Sequence, residues 1–319
     1  MKKNEWFGEA PHIVIRTPAT SANLGPGFDC MGMAVDLFNE LWLKKLPAGE
    51  TSAITVEGYG EESAASLNNL IYTTYCRAFT EMTGEAAPDV AFHCINRIPF
   101  ARGLGSSSAA IVSGLAAAQV LSNMAFSKEQ LMRFATAADG HPDNVLPALL
   151  GGVVIGFVDE DGHVVSEKID PLEGLCAYAL IPDYELKTSD ARAALPSSYS
   201  RGDVVFNLGH LGLLVAAFAT GNKEAIARGF ADRVHEPYRL PLMPGIAETK
   251  AAALAEGALA AIVSGAGSTM LILSANNRDY SGALKALTEQ GIAAHLIEVA
   301  PIKDGVQVYR DEMELSLWR

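Results

Sequence analysis

The chain has 319 residues, 49% hydrophobic and 19% charged, enough apolar material for one large or two medium domains and too much for wholesale disorder. Its formal net charge is -13 with no Lys/Arg-rich run, which argues against nucleic acid as a partner and requires a local cationic pocket for any anionic substrate. Cys30, Cys76, Cys94 and Cys176 are widely spaced with no Cys-x-x-Cys pair, the usage expected of reduced thiols in a cytoplasmic protein.

Residues 1–12 read as a loose tail without the apolar core of a signal peptide. Ile13-Val14-Ile15 reads as a short buried strand stopped by Pro18, and a Gly/Pro-punctuated loop runs from Ala19 to Gly32. Partial alternation predicts strands over 34–44 and 53–58, a helix over 69–83 and a strand over 90–96. Ser106 to Met124 is apolar nearly all round and predicts a buried helix, and Ser127 with Glu129 and Gln130 marks the start of the next. A strand is expected over 149–157. The polar turn Asp159-Glu160-Asp161-Gly162 then suggests a boundary between an N-terminal domain, 1–160, and a C-terminal domain, 161–319. Beyond it come strands at 175–181, 260–263, 270–273 and 293–299, with helices at 188–195, 203–220, 223–233, 245–257 and 280–290. The order is an interleaved α+β pattern and lacks the regular strand–helix alternation of a Rossmann sheet. The apolar stretches are interrupted by Gly, Ser or Asn and predict no bilayer span.

Three glycine-rich signals carry the chemistry. The central one is Pro99-Phe100-Ala101-Arg102-Gly103-Leu104-Gly105-Ser106-Ser107-Ser108-Ala109-Ala110. A tight glycine turn feeding a helix aims free N–H groups and the positive end of the helix dipole at one point, which makes an anion site without a lysine. By itself such a turn is equally a cap on a buried helix. It is not a Walker A loop, because no Gly-Lys dipeptide occurs, and it misses the final glycine of a hydrolase elbow. The others are Pro18-Ala19-Thr20-Ser21-Ala22-Asn23-Leu24-Gly25-Pro26-Gly27-Phe28-Asp29 and Ser264-Gly265-Ala266-Gly267-Ser268-Thr269.

In order and position these three segments resemble the three motifs of the GHMP kinases. The first motif, Gly140-His141-Pro142-Asp143-Asn144-Val145, the segment from Lys187 to Pro196, and His235-Glu236-Pro237-Tyr238-Arg239 resemble the homoserine kinases among them. The likeness spans roughly residues 12–300. It implies an α+β, two-domain GHMP kinase fold, with an N-terminal domain similar to the second domain of ribosomal protein S5 and a ferredoxin-like C-terminal domain. It also implies phosphorylation of the L-homoserine hydroxyl by ATP with Mg2+, in the cytoplasm, without nucleic acid or membrane, and suggests a homodimer.

Residue by residue, the resemblance implies a nucleotide site at Asn69, Pro99, Arg102, Gly103, Leu104, Gly105, Ser106, Ser107 and Ser108, and magnesium held by Ser107 and Asp139. It implies substrate binding by Asn23, Asp29, His141, Asn144, Thr188, Arg192 and Arg239. Two arginines suit a carboxylate and Asp29 an ammonium. Asn144, Ser107 and Asp139 would serve the reaction itself. Asn144 stands where mevalonate-kinase-like members carry an aspartate; an amide accepts no proton, so catalysis would rest on positioning and charge neutralisation. Asp139 replaces the glutamate usual before Gly-His-Pro-Asp-Asn and is one methylene shorter. Asn69 can equally be a helix N-cap. The alternatives are a kinase for another small alcohol, a serine hydrolase using Ser107, and a non-catalytic nucleotide-binding module.

Overall fold

The computed structural model describes residues 13–61, 66–122, 126–310 and 313–317; the expected tail lies outside them. The first layer is a mixed sheet. β1 (Ile13–Ala22) pairs antiparallel with β2 (Met31–Lys45), which pairs with β4 (Val90–Asn96); β3 (Ala53–Gly58) lies parallel to β4 at the edge. Alternation is clear in β4, which buries Val90, Phe92 and Cys94 and half-buries the residues between them. Four helices cover the sheet: α1 (Leu70–Thr83), α2 (Ser106–Ser122), α3 (Lys128–Asp139) and α4 (Pro142–Leu150). α2 buries residues around most of its circumference, as its composition predicts, and α3 opens on a capping box between Ser127 and Gln130.

β1 does not stop at Pro18. The strand continues to Ala22 because the β1–β2 register shifts between Pro18 and Ala19, an irregularity that accommodates a residue without an N–H. Nor does the strand expected at 149 begin there. Leu149 and Leu150 close α4, and β5 (Val153–Val158) starts after Gly151-Gly152.

β5 forms a hairpin with β6 (Val164–Ile169) around the polar turn at 159–162. A division at 160 therefore cuts a hairpin of the first sheet. The tail also returns to that sheet: β11 (Gln307–Arg310) pairs with β1, and β12 (Met313–Leu315) pairs with β11. The strand at 293–299 is thus not the last. Strand pairing groups residues 13–169 with 307–317 and leaves 176–299 as the second unit.

The second sheet contains β7 (Cys176–Pro182), β8 (Ala260–Val263), β9 (Met270–Ser274) and β10 (Ala294–Val299), in the order β10-β7-β9-β8, all antiparallel. The first-to-fourth, first-to-third, third-to-second adjacency is that of a ferredoxin-like sheet. Around it lie α5 (Thr188–Ala193), α6 (Arg201–Thr220), α7 (Lys223–Gly229), α8 (Glu236–Arg239), α9 (Ile246–Ala255) and α10 (Ser281–Thr288). By length and composition α6 is apolar enough to cross a bilayer, contrary to the sequence reading; within the protein it packs through Asn207, Leu214, Ala217 and Phe218.

The two units share a core. Leu24, Met31, Met33, Leu104 and Val153 from the first pack with Leu214, Phe218, Phe230, Ile262 and Leu271 from the second. Burying such side chains stabilises by roughly 1.5–3 kcal/mol each, so the groove between the units has fixed walls.

Candidate active site

The three glycine-rich segments interlock in that groove. Ser264 Oγ donates to the Gly103 carbonyl at 2.7 Å and lies 2.8 Å from Ser21 Oγ. Gly265 N–H donates to Ala22 O, Thr269 N–H to Arg102 O, and Thr20 N–H to Leu104 O. Gly103 and Gly105 both have left-handed backbones, φ +74° and +69°. A Cβ at Gly103 would stand 2.1 Å from Ser264 O, and one at Gly105 would stand 2.0 Å from Thr20 Oγ1. Glycine is required at both positions by φ and by close approach.

These turns and the start of α2 line a cavity of about 380 Å³. Every residue expected at the site except Asn69 lines it. Asn69 lines a neighbouring cavity of about 390 Å³ with Asn39, Asn96 and Phe100, and Ala101, Ser106 and Ser107 line both. Asn69 is also the N-cap of α1, accepting from Ile71 N–H at 2.8 Å, so the capping reading and the cavity position coexist.

Several expected residues are occupied by structural bonds. Arg102 turns away from the loop's anion site: Nε and Nη2 donate to Pro182 O and Asp183 O, which ties the loop to β7. Leu104 lines the cavity while its side chain lies in the core. Asn23 is buried, donates from Nδ2 to Gly265 O at 2.8 Å and accepts from Asp29 N–H at 3.1 Å, so its amide sets the geometry of the Asp29 turn. Asp139 is paired with Ser108, whose hydroxyl donates at 2.9 Å, whereas Ser107 stands exposed at the mouth of both cavities. Burial raises the Asp139 pKa against the Ser108 bond and the His141 charge. Among the described residues no histidine hydrogen-bonds Ser106, Ser107 or Ser108, so no Ser–His pair is in place here.

A cluster of charged side chains lines the same cavity. Arg192 Nη1 and Nη2 each donate to Asp29 at 2.9 Å, a two-pronged pair. This bond to Asp29 raises the Arg192 pKa despite partial burial. Arg239 is 2% exposed. Its Nη1 donates to Gly265 O at 2.9 Å and its Nε to Ala191 O at 3.3 Å. The Phe28 ring lies beneath both guanidinium groups, 5.7 Å from Arg192 and 5.2 Å from Arg239. His141 Nε2 is 3.9 Å from Asp29, and Thr188 begins α5 at the cavity wall. Asn144 Oδ1 accepts from Thr20 Oγ1 at 2.8 Å, which fixes the amide and leaves Nδ2 as the donor.

Beneath Arg239 is a buried polar network that single positions do not announce. His235 Nε2 sits 2.8 Å from Gly25 O. A carbonyl only accepts, so Nε2 carries the proton and Nδ1 faces Arg239 Nη1 as acceptor at 3.4 Å. Burial lowers the His235 pKa against the pull of Asp232 and Glu236, which keeps the ring neutral. Burial would raise the Asp232 carboxyl, but hydrogen bonds from Asn207 and from the Val234 and Glu236 N–H groups hold it below the ordinary value. Glu236 accepts from Val263 N–H at 2.8 Å and pairs with Lys250. The His-Glu-Pro-Tyr-Arg segment is thus a scaffold that aims one arginine.

Thr20, Phe28, Asp143 and Gly265 belong to the site and were not singled out from the sequence, although each lies inside a quoted motif. Asp143 is 6% exposed and lines the cavity. Burial first, then the Asp29 and Asp139 charges, push its carboxyl up to about 7, while Arg192 opposes the shift. The folded pKa lies above the unfolded one, so the native state binds more protons and stability falls as pH rises from about 4 to 7. Asp143→Asn should therefore be more stable than the wild type at pH 8, by about 4 kcal/mol for a shift from 3.8 to about 7, and the difference should vanish near pH 4. Thermal unfolding of both proteins across that range reads this out; a difference independent of pH would show that Asp143 ionises normally.

With this geometry in place, likeness to known proteins becomes informative. The family model "GHMP kinases N terminal domain" matches residues 69–152, and "GHMP kinases C terminal" matches 214–293. A curated homoserine kinase from Synechococcus is 39% identical over 303 residues, covering 94% of this chain and 98% of that protein. The chain belongs to the GHMP kinase family. A homoserine kinase from Desulfitobacterium hafniense is 41% identical over 267 residues, 83% of this chain and 88% of the relative. The crystal structure of homoserine kinase from Cytophaga hutchinsonii superposes with a TM-score of 0.82 at 28% identity, covering 95% and 99% of the two chains. A mevalonate kinase superposes with a TM-score of 0.66 at 13% identity, which shows a shared two-domain GHMP kinase fold. The glycine turns at 103–108 and 264–269, with Asp139, His141, Asn144 and Arg239, lie within the matched segments of this GHMP kinase and Arg192 between them, whereas the first turn, with Asn23 and Asp29, precedes both.

Proposed function

We propose that the protein transfers the γ-phosphoryl group of ATP to the hydroxyl of L-homoserine, giving O-phospho-L-homoserine and ADP, a step toward threonine. The observation that carries this reading is a single cavity lined both by a helix N-terminus and by the Asp29, Arg192 and Arg239 charges. The helix start suits phosphates and the charged cluster suits a zwitterion, one carboxylate and one ammonium on a short chain.

The α2 N-terminus and the turn at 103–106 would cradle the phosphates, and the adjoining cavity at Asn69 would take the adenine side. Ser107 and Asp139 would be the oxygen donors for magnesium, which when bound would neutralise phosphate charge; Asp139 would have to exchange its bond from Ser108 for the ion. On the substrate side, Arg239 has its Nε and Nη1 fixed on carbonyls, which holds the planar fork ready for a carboxylate. Arg192, partly exposed at the cavity, would exchange Asp29 for the same group. Asn144 Nδ2 would hold the hydroxyl in line, with Thr20 fixing the amide. Since that amide cannot take the proton, positioning and charge supply the rate, as a loose phosphoryl transition state permits.

A carboxylate at residue 144 should accordingly not help. Asn144→Asp keeps the acceptor for Thr20, removes the Nδ2 donor and adds negative charge near the phosphates. We expect kcat to fall by roughly 10²-fold, the scale of one lost oriented donor. A faster variant with a new pH dependence would mean that a base assists the wild type.

ADP release coupled to a panel of alcohols tests the function. The reading expects turnover with L-homoserine and magnesium, and weak turnover with alcohols that lack the amino acid end. Equal use of simple alcohols would favour the other-alcohol kinase. The free thiols of the four cysteines accord with work in the cytoplasm.

A further inference from the structure

The two arginines of the cavity are held in opposite ways. Arg192 is bonded to a carboxylate, both Nη groups donating to Asp29 at 2.9 Å. The hydrogen-bond partners of buried Arg239 are all uncharged. Its Nε donates to Ala191 O at 3.3 Å, its Nη1 donates to Gly265 O at 2.9 Å, and the same Nη1 faces His235 Nδ1 at 3.4 Å. A guanidinium bonded to carbonyls and an imidazole is fixed in place with its charge still uncancelled at contact distance. A carboxylate in the imidazole's position would cancel that charge.

Three parts of the chain meet at His235. The residue is the N-cap of α8 and is wholly buried. Its Nε2 donates to Gly25 O in the first glycine turn at 2.8 Å. Its ring stacks on Phe28 of the same turn, with centroids 5.5 Å apart and planes 25° apart, and the Phe28 ring in turn lies 5.2 Å from the Arg239 guanidinium. Asp232 holds the backbone of His235, accepting from its N–H at 2.9 Å, and also accepts from Asn207 Nδ2 and from the Val234 and Glu236 N–H groups. His235 itself does not line the cavity, so any effect on a ligand must pass through Arg239 or through the turn that carries Asp29.

On the reading that Arg239 receives the homoserine carboxylate, we propose that His235 is a positioning residue for substrate recognition: as a neutral acceptor it aims the Arg239 guanidinium without cancelling its charge, and through Gly25 and Phe28 it fixes that arginine relative to the turn carrying Asp29. The two ring nitrogens divide the work. Nε2 joins α8 to the first turn, and Nδ1 joins the ring to the guanidinium. A protonated ring would present a second N–H to Arg239, losing the acceptor and adding a like charge.

The division is testable because side-chain amides reproduce one ring nitrogen each: Gln reaches the Nε2 position and Asn the Nδ1 position. Homoserine and ATP are varied in turn, and thermal unfolding is recorded, for the full-length wild type, His235→Gln and His235→Asn. His235→Gln keeps a donor for Gly25 O and loses the acceptor for Arg239. Its homoserine KM should rise roughly tenfold, the low end for a hydrogen bond to a charged group because 3.4 Å is long, with kcat and the ATP KM near the wild-type values. His235→Asn keeps the acceptor and leaves Gly25 O without its donor. It should unfold at a lower temperature yet hold the homoserine KM within roughly threefold of the wild type. Equal rises in homoserine KM for the two variants, or a parallel rise in the ATP KM, would overturn the proposal, since a merely structural role predicts both; so would an unchanged homoserine KM in His235→Gln. Nitrogen-15 NMR of the wild-type histidine rings at neutral pH decides the matter if a variant fails to fold. It should show a neutral ring with an exchange-protected proton on Nε2 and none on Nδ1; a charged ring, or a proton on Nδ1, at this buried site would overturn the proposal. Failure of the wild type itself to phosphorylate homoserine would instead overturn the functional reading on which the proposal rests.

Discussion

Arg192→Ala should raise the homoserine KM by roughly 30- to 150-fold, with little change in the KM for ATP. The guanidinium is bound to Asp29 through two 2.9 Å bonds, and its removal takes away both a carboxylate-gripping group and the clamp on Asp29. Truncating one member of a buried charged pair at a recognition site costs about 2–5 kcal/mol. The Arg192 side chain is 40% exposed, so water screens part of the loss and the lower end, about 2–3 kcal/mol, applies. Arg239→Ala would be a poorer probe. That side chain is buried, and its loss would leave Gly265 O and Ala191 O without donors, mixing substrate binding with stability. Steady-state kinetics with each substrate varied in turn decide the matter. A parallel rise in both KM values would place Arg192 in the fold and not in homoserine recognition.

Gly105→Val should reduce kcat/KM for ATP by roughly 10²–10³-fold, the scale attached to one misaligned backbone donor in a preorganised anion site. The residue has φ +69°, a region that a β-branched side chain resists, and its new Cβ would meet Thr20 Oγ1 at 2.0 Å and Asn144 Oδ1 at 3.2 Å. The turn must open, and it moves the start of α2 and the Thr20–Asn144 bond together. Some loss of stability accompanies this, about 1–3 kcal/mol for the strained backbone, so the kinetics belong beside a thermal unfolding curve. Wild-type ATP kinetics in a folded Gly105→Val protein would reduce the loop to a structural turn.

Local patterns were legible where one residue decides one contact. The all-round apolar run from Ser106 gave the buried helix, Ser127 and Gln130 gave its successor's cap, and alternation gave β3 and β4. Pairings between distant segments were not. Nothing around Gln307 signals that it will lie beside Arg16, because strand partners are chosen by tertiary packing and not by local propensity. The same reason hid the hairpin across 159–162, whose polar turn resembles a linker as much as a β-turn. Within the site, the glycine motifs and the paired arginines stood out by residue type and by resemblance. Asp143 did not: a carboxylate in the first turn of a helix is ordinarily a solvated partner of the dipole, and only its burial beside Asp29 and Asp139 sets it apart. Arg102 lines the cavity as the loop motif implied, but its guanidinium bonds to Pro182 O and Asp183 O depend on a partner strand that no local pattern announces.

The most direct measurement is phosphorus NMR of the reaction product after incubation with ATP, magnesium and L-homoserine. The account predicts ADP in equal amount with a new phosphate monoester whose phosphorus couples to the protons of the homoserine side-chain methylene. Inorganic phosphate alone, or unchanged ATP beside unmodified homoserine, would contradict it.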